Sequence, residues 1–474
     1  MTGRQVLHLL RAYESRNVTF VEPDGSWPIV WQRAKGVHVW DAGGKRYLDL
    51  TAAFGVAATG HANPRVVKAG QKQMTTLLHA MGDVHPHPVK AQLARELSRI
   101  TFERWSAKEP GAQPPDPGVI GRLPEPGRTL TGKAIFCNSG FEAVEAGLKT
   151  ALLATGKPGV IAFKGAYHGL GYGALNATHR QHFRAPFASQ LRQFVRFVPF
   201  PKAGEVSGQP PFGANASTSE SRDASRALVA VESHTRRLLR GGKIGAILVE
   251  PIQVRGGINV PPPDFLALLR QLCDQHQALL IVDEIYTGFG RTGKWFAAEH
   301  SAIIPDLICL GKALSGGFPI SACVGRAPLM DVAWPPSSGE AIHTSTFLGH
   351  PVGCAMALAQ IREIRTRKLV ERSAELGDFL LRLISCELSH AGCRITSRGL
   401  GLLVGVEVQS AAGSPATDVA LKAIKTMLHR GFILLPEGEH SNVISFTPPL
   451  TISENQLKAA VNALADILKK NRFA

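Results

Sequence analysis

The chain lacks the features that mark secreted, membrane-bound or metal-cluster proteins. Its seven cysteines are odd in number and scattered, with no CxxC spacing. That points to reduced thiols rather than a disulfide framework or a zinc site. No apolar run is long enough to cross a bilayer. The start, "MTGRQVLHLLRAYESR", has neither a continuous apolar core nor an evident cleavage site, so it does not read as a signal peptide. A cytoplasmic protein without membrane attachment is expected. Acidic residues are also scarce. Lys and Arg number 53 against 37 Asp and Glu, a formal charge of +16. Such an excess suits nucleic acid, anionic metabolites or a cofactor phosphate. The charge is spread thinly, however, and its densest pieces, "HTRRLLRGGK" and "REIRTRKLVERS", read as solvated helix faces. No RNP, helix-turn-helix or zinc-finger pattern accompanies them, which argues against a nucleic-acid partner.

The 474 residues suffice for a large core and at least two domains. Short strand-like pieces, "GVHVWD" and "KRYLDLT", flank the turn "DAGGK" near the start, and helical patterning begins near Pro64. Two stretches rich in Pro, Gly and Ser, near 107–132 and 202–225, read as irregular surface insertions. Between 133 and 326, apolar segments such as "KAIFCN", "GVIAFKG", "IGAILVE", "ALLIVDE", "LICLG" and "ISACVG" alternate with helical ones. Strands without polar alternation, spaced by helices, predict an α/β fold with a mostly parallel sheet covered on both faces. After about residue 350 the pattern is helix-rich, with strands at "GLLVGVEV" and "VISFTPP", which suits a smaller α+β domain.

Two nucleotide motifs fail on context. "GRTLTGKA", 127–134, has Ala134 where a P-loop needs Ser or Thr, and it precedes a strand instead of opening a helix. "GFGRTG", 288–293, follows a strand only after the interposed "IYT", with no ribose-binding acid behind it.

Other motifs agree with one another. In "DLICLGKALSGGFPIS", an apolar strand delivers Lys312 into small residues and glycines. A strand-end lysine either reaches solvent or is held for chemistry. A cofactor bound through a lysine Schiff base also needs a partner for its ring nitrogen and a phosphate cradle. Asp283 ends the buried strand "ALLIVD", where α/β sheets bind ligands. "NSGFEA" puts Ser139 and backbone N–H groups at a helix start, a natural phosphate site. "KGAYHG" sets an aromatic between glycines just after a strand, available to stack on a planar ring. Singly, each is equally an ordinary strand-end acid, N-cap or core tyrosine.

Taken together, and with "VDEIYTGFGRTGKWFAAEH" followed by "PDLICLGKALSGGFPISA", the sequence resembles the class III aminotransferases of PLP fold type I. The resemblance runs from "GVHVWDAGGKRYLDL" to "TPPLTIS" and accounts for the GFGRTG decoy. It implies a seven-stranded-type, mostly parallel sheet in a large PLP-binding domain at 76–349. A small α+β domain would be built from both chain ends, 1–75 and 350–474. It implies that Lys312 binds pyridoxal 5'-phosphate covalently and later shuttles a proton, and that Asp283 pairs with the pyridinium nitrogen. Ser139, Gly140 and Phe141 fall on the phosphate-binding turn, where the family usually has Ser-Gly-Thr. Tyr167 falls where an aromatic stacks on the ring, with His168 beside it and Ile285 on the opposite face. Tyr286 falls where a Gln often contacts the ring hydroxyl, and Glu250 of "EPIQVRGG" joins the cofactor-binding set. Thr346 matches a Thr that reaches the phosphate from a partner subunit, so a homodimer with shared sites is implied.

The chain departs from the ornithine and 4-aminobutyrate branch at three places. Leu170 and Ser445 replace its two carboxylate-reading arginines, and Arg255 stands where a gating glutamate is usual. Arg255 is therefore the candidate to bind a substrate carboxylate, unless it pairs with a nearby acid or points to solvent. The activity implied is ping-pong amino transfer from an amine or amino acid to a 2-oxo acid. Alternatives are a racemase or epimerase of the same fold, and a basic nucleic-acid-binding protein that kept the fold and lost catalysis.

Overall fold

The structure is a computed structural model that describes residues 1–107, 130–202, 218–389 and 393–470. Its centre is the sheet predicted from the apolar runs. In chain order the strands are β1 (Trp31–Lys35), β2 (His38–Asp41), β3 (Arg46–Asp49), β4 (Gly132–Cys137), β5 (Gly159–Phe163), β6 (Val195–Val198), β7 (Ile244–Val249), β8 (Leu279–Asp283), β9 (Leu307–Leu310), β10 (Ser321–Arg326), β11 (Arg394–Leu400), β12 (Leu403–Gln409), β13 (Phe432–Ile433), β14 (Leu435–Glu437) and β15 (Val443–Phe446). The central sheet has the order β4-β10-β9-β8-β7-β5-β6. Only β10 runs antiparallel to its neighbours there.

Every residue of β5, β7, β8 and β9 is buried. That explains why their sequences are apolar on both faces. The helix Gly140–Thr155 covers one face with the small residues Ala143, Ala146 and Gly147. A Cβ on Gly147 would already be in contact with Ile281 at 3.4 Å, which leaves room for alanine, while a side chain larger than that would crowd the sheet. The helix Phe265–His276 covers the other face through Phe265, Leu269 and Leu272.

Two smaller sheets flank this core. One joins β1, β2 and β3 to β13, so both chain ends share a sheet; the other is β11-β12-β15-β14. Both insertion readings need correction at their ends. Most of 107–132 lies outside the described residues, but Leu130 is a core residue whose N–H donates to Ser106 Oγ at 3.0 Å. Of 202–225, residues 218–225 belong to the helix Thr218–Arg240, while 203–217 lie outside the described residues. The Ser, Glu and Asp there suit a helix start as well as a loop. Leu228, Val231 and Leu238, at successive spacings of three and seven residues, hold the helix against the sheet.

Candidate active site

The parallel strands run β5, β6 to one side and β7, β8, β9 to the other, so the strand order reverses between β5 and β7. A crevice opens at the carboxyl ends of strands at such a point. A cavity of about 480 Å³ occupies it. Its walls bring together ten of the twelve residues singled out from the sequence: Gly140, Phe141, Tyr167, His168, Glu250, Arg255, Asp283, Ile285, Tyr286 and Lys312.

Asp283 closes β8, and its Oδ2 lies 2.7 Å from His168 Nδ1. Its Oδ1 accepts from the Ile285 N–H at 3.1 Å. Both side chains are almost fully buried, and His168 Nε2 has no partner among the described residues. Lys312 follows β9 in a left-handed backbone conformation, φ +40. A non-glycine residue held there stores strain, of order 1–3 kcal/mol, that surrounding packing must offset. Its Nζ sits 4.5 Å from the centre of the Tyr286 ring. Burial pulls the Lys312 amine below its ordinary pKa, against the pull of Asp283 and Glu250. The neutral amine, the form that attacks carbonyls and accepts protons, is thereby favoured.

Glu250 lies just past β7 and accepts from Tyr167 N–H at 2.9 Å and Val254 N–H at 3.3 Å. Burial raises its carboxyl to about 7, with His168 opposing. The Tyr167 ring packs edge-on against Phe183 at 5.5 Å. Ile285 forms the facing wall: a Cβ on Gly140 would lie 3.0 Å from it, so the turn must be glycine to approach this closely. Tyr286 places its hydroxyl 3.3 Å from Thr447 Oγ1, and burial pushes that phenol up to about 12. Gly55, φ +79, fits against the same ring, where a Cβ would meet Cε1 at 2.9 Å.

At the helix start, Glu142 accepts from the N–H groups of Asn138 and Ser139, at 2.6 and 3.0 Å. Ser139 Oγ is buried, next to the cavity, without a hydrogen-bond partner among the described residues. Thr346 is exposed and does not line the cavity. Arg255 does line it, but not as a free cation: its Nη1 is 2.9 Å from Oε2 of Glu437, a nearly inaccessible carboxylate. Leu170 stands on the rim, and Ser445 is buried in β15. Sequence reasoning missed Glu437, Gly55 and Thr447. Nothing local in "LLPEGEH" marks Glu437, since its partner is 182 residues away.

These groups suit a phosphorylated pyridine aldehyde. An orphan hydroxyl at the start of a 16-residue helix can serve a phosphate. The buried carboxylate, steadied by His168, can hold a protonated ring nitrogen. A lysine with a depressed pKa completes the set. Fold and site together define a PLP fold type I enzyme. Residues 20–468 match the family described as aminotransferase class-III. An acetylornithine aminotransferase from Methanosarcina mazei is 33% identical over 93% of this chain and 92% of its own length. A 5-aminovalerate aminotransferase from Pseudomonas aeruginosa is 34% identical over 93% of each chain. An omega transaminase from Pseudomonas jessenii, solved in complex with PMP, superposes with a TM-score of 0.81 at 26% identity, covering 98% of this chain and 97% of that one. The chain belongs to the class III aminotransferases, which depend on pyridoxal phosphate. It is an aminotransferase, and the racemase reading is not favoured.

Proposed function

We propose that one substrate carries a carboxylate that Arg255 reads, and that the amino donor is an amino acid with its reacting amine held away from that carboxylate. The observation that carries this is the lining itself. Among the described residues, Lys312 and Arg255 are the only Lys or Arg on the cavity wall. With Lys312 committed to the cofactor, a buried carboxylate has Arg255 to pair with. Ornithine, acetylornithine and 5-aminovalerate, the substrates named for relatives, share that layout and are the first donors to try.

Pyridoxal phosphate, when bound, supplies an electron-withdrawing ring that stabilises negative charge at the substrate carbon. Asp283, oriented by His168, would hold the ring nitrogen protonated. Ser139 Oγ and the N–H groups of Gly140 and Phe141 would receive the phosphate. Tyr167 and Ile285 would bound the ring, and Glu250 fixes the Tyr167 backbone. Tyr286 closes the wall over Lys312. Lys312 Nζ takes the proton from the substrate carbon and returns it elsewhere. Glu437 holds Arg255 in readiness and must yield it to the incoming carboxylate.

Thr346, exposed in a single chain, is assigned to the phosphate of a second subunit's site. A homodimer with shared sites is therefore part of the reading. The division into a large domain, 76–349, and a small domain from 1–75 and 350–474 is kept, as is a cytoplasmic setting. Its seven cysteines all stand as free thiols. The deciding experiment measures the two half-reactions separately in Arg255→Ala. The keto-acid half should lose roughly 2–5 kcal/mol in kcat/KM, the cost of an unpaired buried charge. Arg255→Lys should recover only part. Unchanged keto-acid kinetics would leave the reading without support.

A further inference from the structure

A second cavity, about 360 Å³, lies beside the catalytic one. It too opens at the carboxyl ends of parallel strands, one strand nearer the sheet edge. Lys164 follows β5, Phe200 follows β6, and Gln253, Gly256 and Asn259 follow β7. The opposite wall is the C-terminal sheet, including Arg398 on β11 and Glu407 on β12. No residue assigned to amino transfer lines it. The strap 252–259 is a shared wall. Ile252, Val254 and Arg255 border the catalytic cavity, and Gln253, Gly256 and Asn259 border the second.

The polar groups of this cavity are unevenly satisfied. Arg398 is fully engaged: it pairs with Glu407 and donates to the carbonyls of Gly257 and Ile258, at 2.6 and 2.9 Å. Lys164 and Arg180 are different. No carboxylate of the described residues lies within ion-pair distance of either, and the Arg180 guanidinium rests 5.5 Å from the Phe183 ring. Asn259 is 3% exposed. Its Nδ2 donates to Gly256 O at 3.0 Å and Gln253 Oε1 at 3.3 Å, while its Oδ1 has no donor among the described residues. A buried acceptor left unmade is costly and asks for a partner. Lys164 and Arg180, in no ion pair among the described residues, outnumber the one further acid of the lining, Glu439, and suit a carboxylate. An amide oxygen of the cavity lining that lacks a donor suits an N–H donor such as an ammonium. An α-amino acid carries both within one small molecule.

We propose that this cavity is a second ligand site, which binds a free α-amino acid with its carboxylate on Lys164 and Arg180 and its ammonium on Asn259 Oδ1. The test is calorimetry on the holoenzyme in its pyridoxamine phosphate form, which cannot take a further amino group. The probes are the proteinogenic L-amino acids at up to roughly 10 mM, which reaches weak sites near 1 mM Kd. At least one should bind at one equivalent per chain. That binding should persist in Arg255→Ala and weaken at least about tenfold in a Lys164→Ala, Arg180→Ala double variant, a shift that calorimetry resolves. Both side chains lie at the surface or half-buried, so the double variant should melt like the parent. The best binder's analogue without the amino group should bind more weakly. Saturable binding by none of the probes overturns the proposal. So does binding lost in Arg255→Ala yet intact in the double variant, since the ligand then sits in the catalytic cavity. Neither outcome touches the half-reaction test of Arg255.

Discussion

Replacing Glu437 with Gln should strengthen, not weaken, recognition of the carboxylate substrate. In the free enzyme Arg255 Nη1 bonds Glu437 Oε2 at 2.9 Å. The native contact joins two full charges, whereas in Glu437→Gln the guanidinium keeps only a hydrogen bond to a neutral amide. The incoming carboxylate must displace the first; in Glu437→Gln it displaces only the second. The charge–charge part that is lost, on the order of 1 kcal/mol for a partly exposed pair, is about fivefold in affinity. Burial bounds this from above. It raises the Glu437 carboxyl while Arg255 pulls it back, so part of the pair's attraction already offsets desolvation. Removing Arg255 would strand a buried acid, whereas Gln leaves a neutral group of the same shape. Stopped-flow measurement of the keto-acid half-reaction is the assay, with a carboxylate-free amine as the control. The keto acid should saturate at several-fold lower concentration, and the amine should be unaffected. A keto-acid KM that stays the same or rises would refute the idea that Glu437 competes for Arg255.

Four further outcomes are expected. Lys312→Ala should abolish turnover while retaining pyridoxal phosphate non-covalently; wild-type turnover would refute the assignment, and the visible spectrum reports the lost covalent bond. His168→Ala should lower kcat by roughly one to two orders of magnitude, because a freed Asp283 misplaces its carboxylate; rescue by Asn or Gln at 168 would separate positioning from charge. Gly55→Ala forces the Tyr286 ring to shift and should raise KM without unfolding the chain, checked by kinetics beside a thermal melt. Burial raises Glu284 from 4.5 to about 7. The folded chain therefore holds a proton that the unfolded chain has released between those values. Stability falls as pH rises across that window and stays lower above it, by about 3 kcal/mol. Glu284→Gln should melt well above the parent at pH 8 and close to it at pH 4.5; equal melting at both would show that the carboxyl is not perturbed.

The sheet and the lysine–aspartate pair were legible because each rests on local signals. Runs such as "ALLIVD" are buried on both faces, so periodicity and strand-end position coincide. Edge strand β6 was missed: it is only four residues long, and exposed Arg196 and half-buried Phe197 interrupt its apolar run between buried Val195 and Val198. The helix start at Thr218 read as loop because caps and loops draw on the same Ser, Thr and Asp. The site was less legible where it depends on distant pairing. Arg255 stood out as a departure from the family, but its engagement with Glu437 required β14 to be placed next to the strap after β7. The second cavity is of the same kind, assembled from segments that adjoin only in the fold.

One pairing made in the N-terminal sheet has a consequence for synthesis. Asp49 on β3 is the register partner of Ile433 on β13. The gap is 433 − 49 = 384 residues. At about 5–20 residues per second, β3 waits roughly 20–80 s on the ribosome before its mate emerges. Throughout that interval one edge of the nascent β1-β2-β3 ribbon stays unpaired, open to strands from neighbouring chains. A ribosome-associated chaperone would have its longest exposure at this edge. Nascent chains stalled before residue 432 should aggregate through it, and those stalled well beyond residue 446 should not.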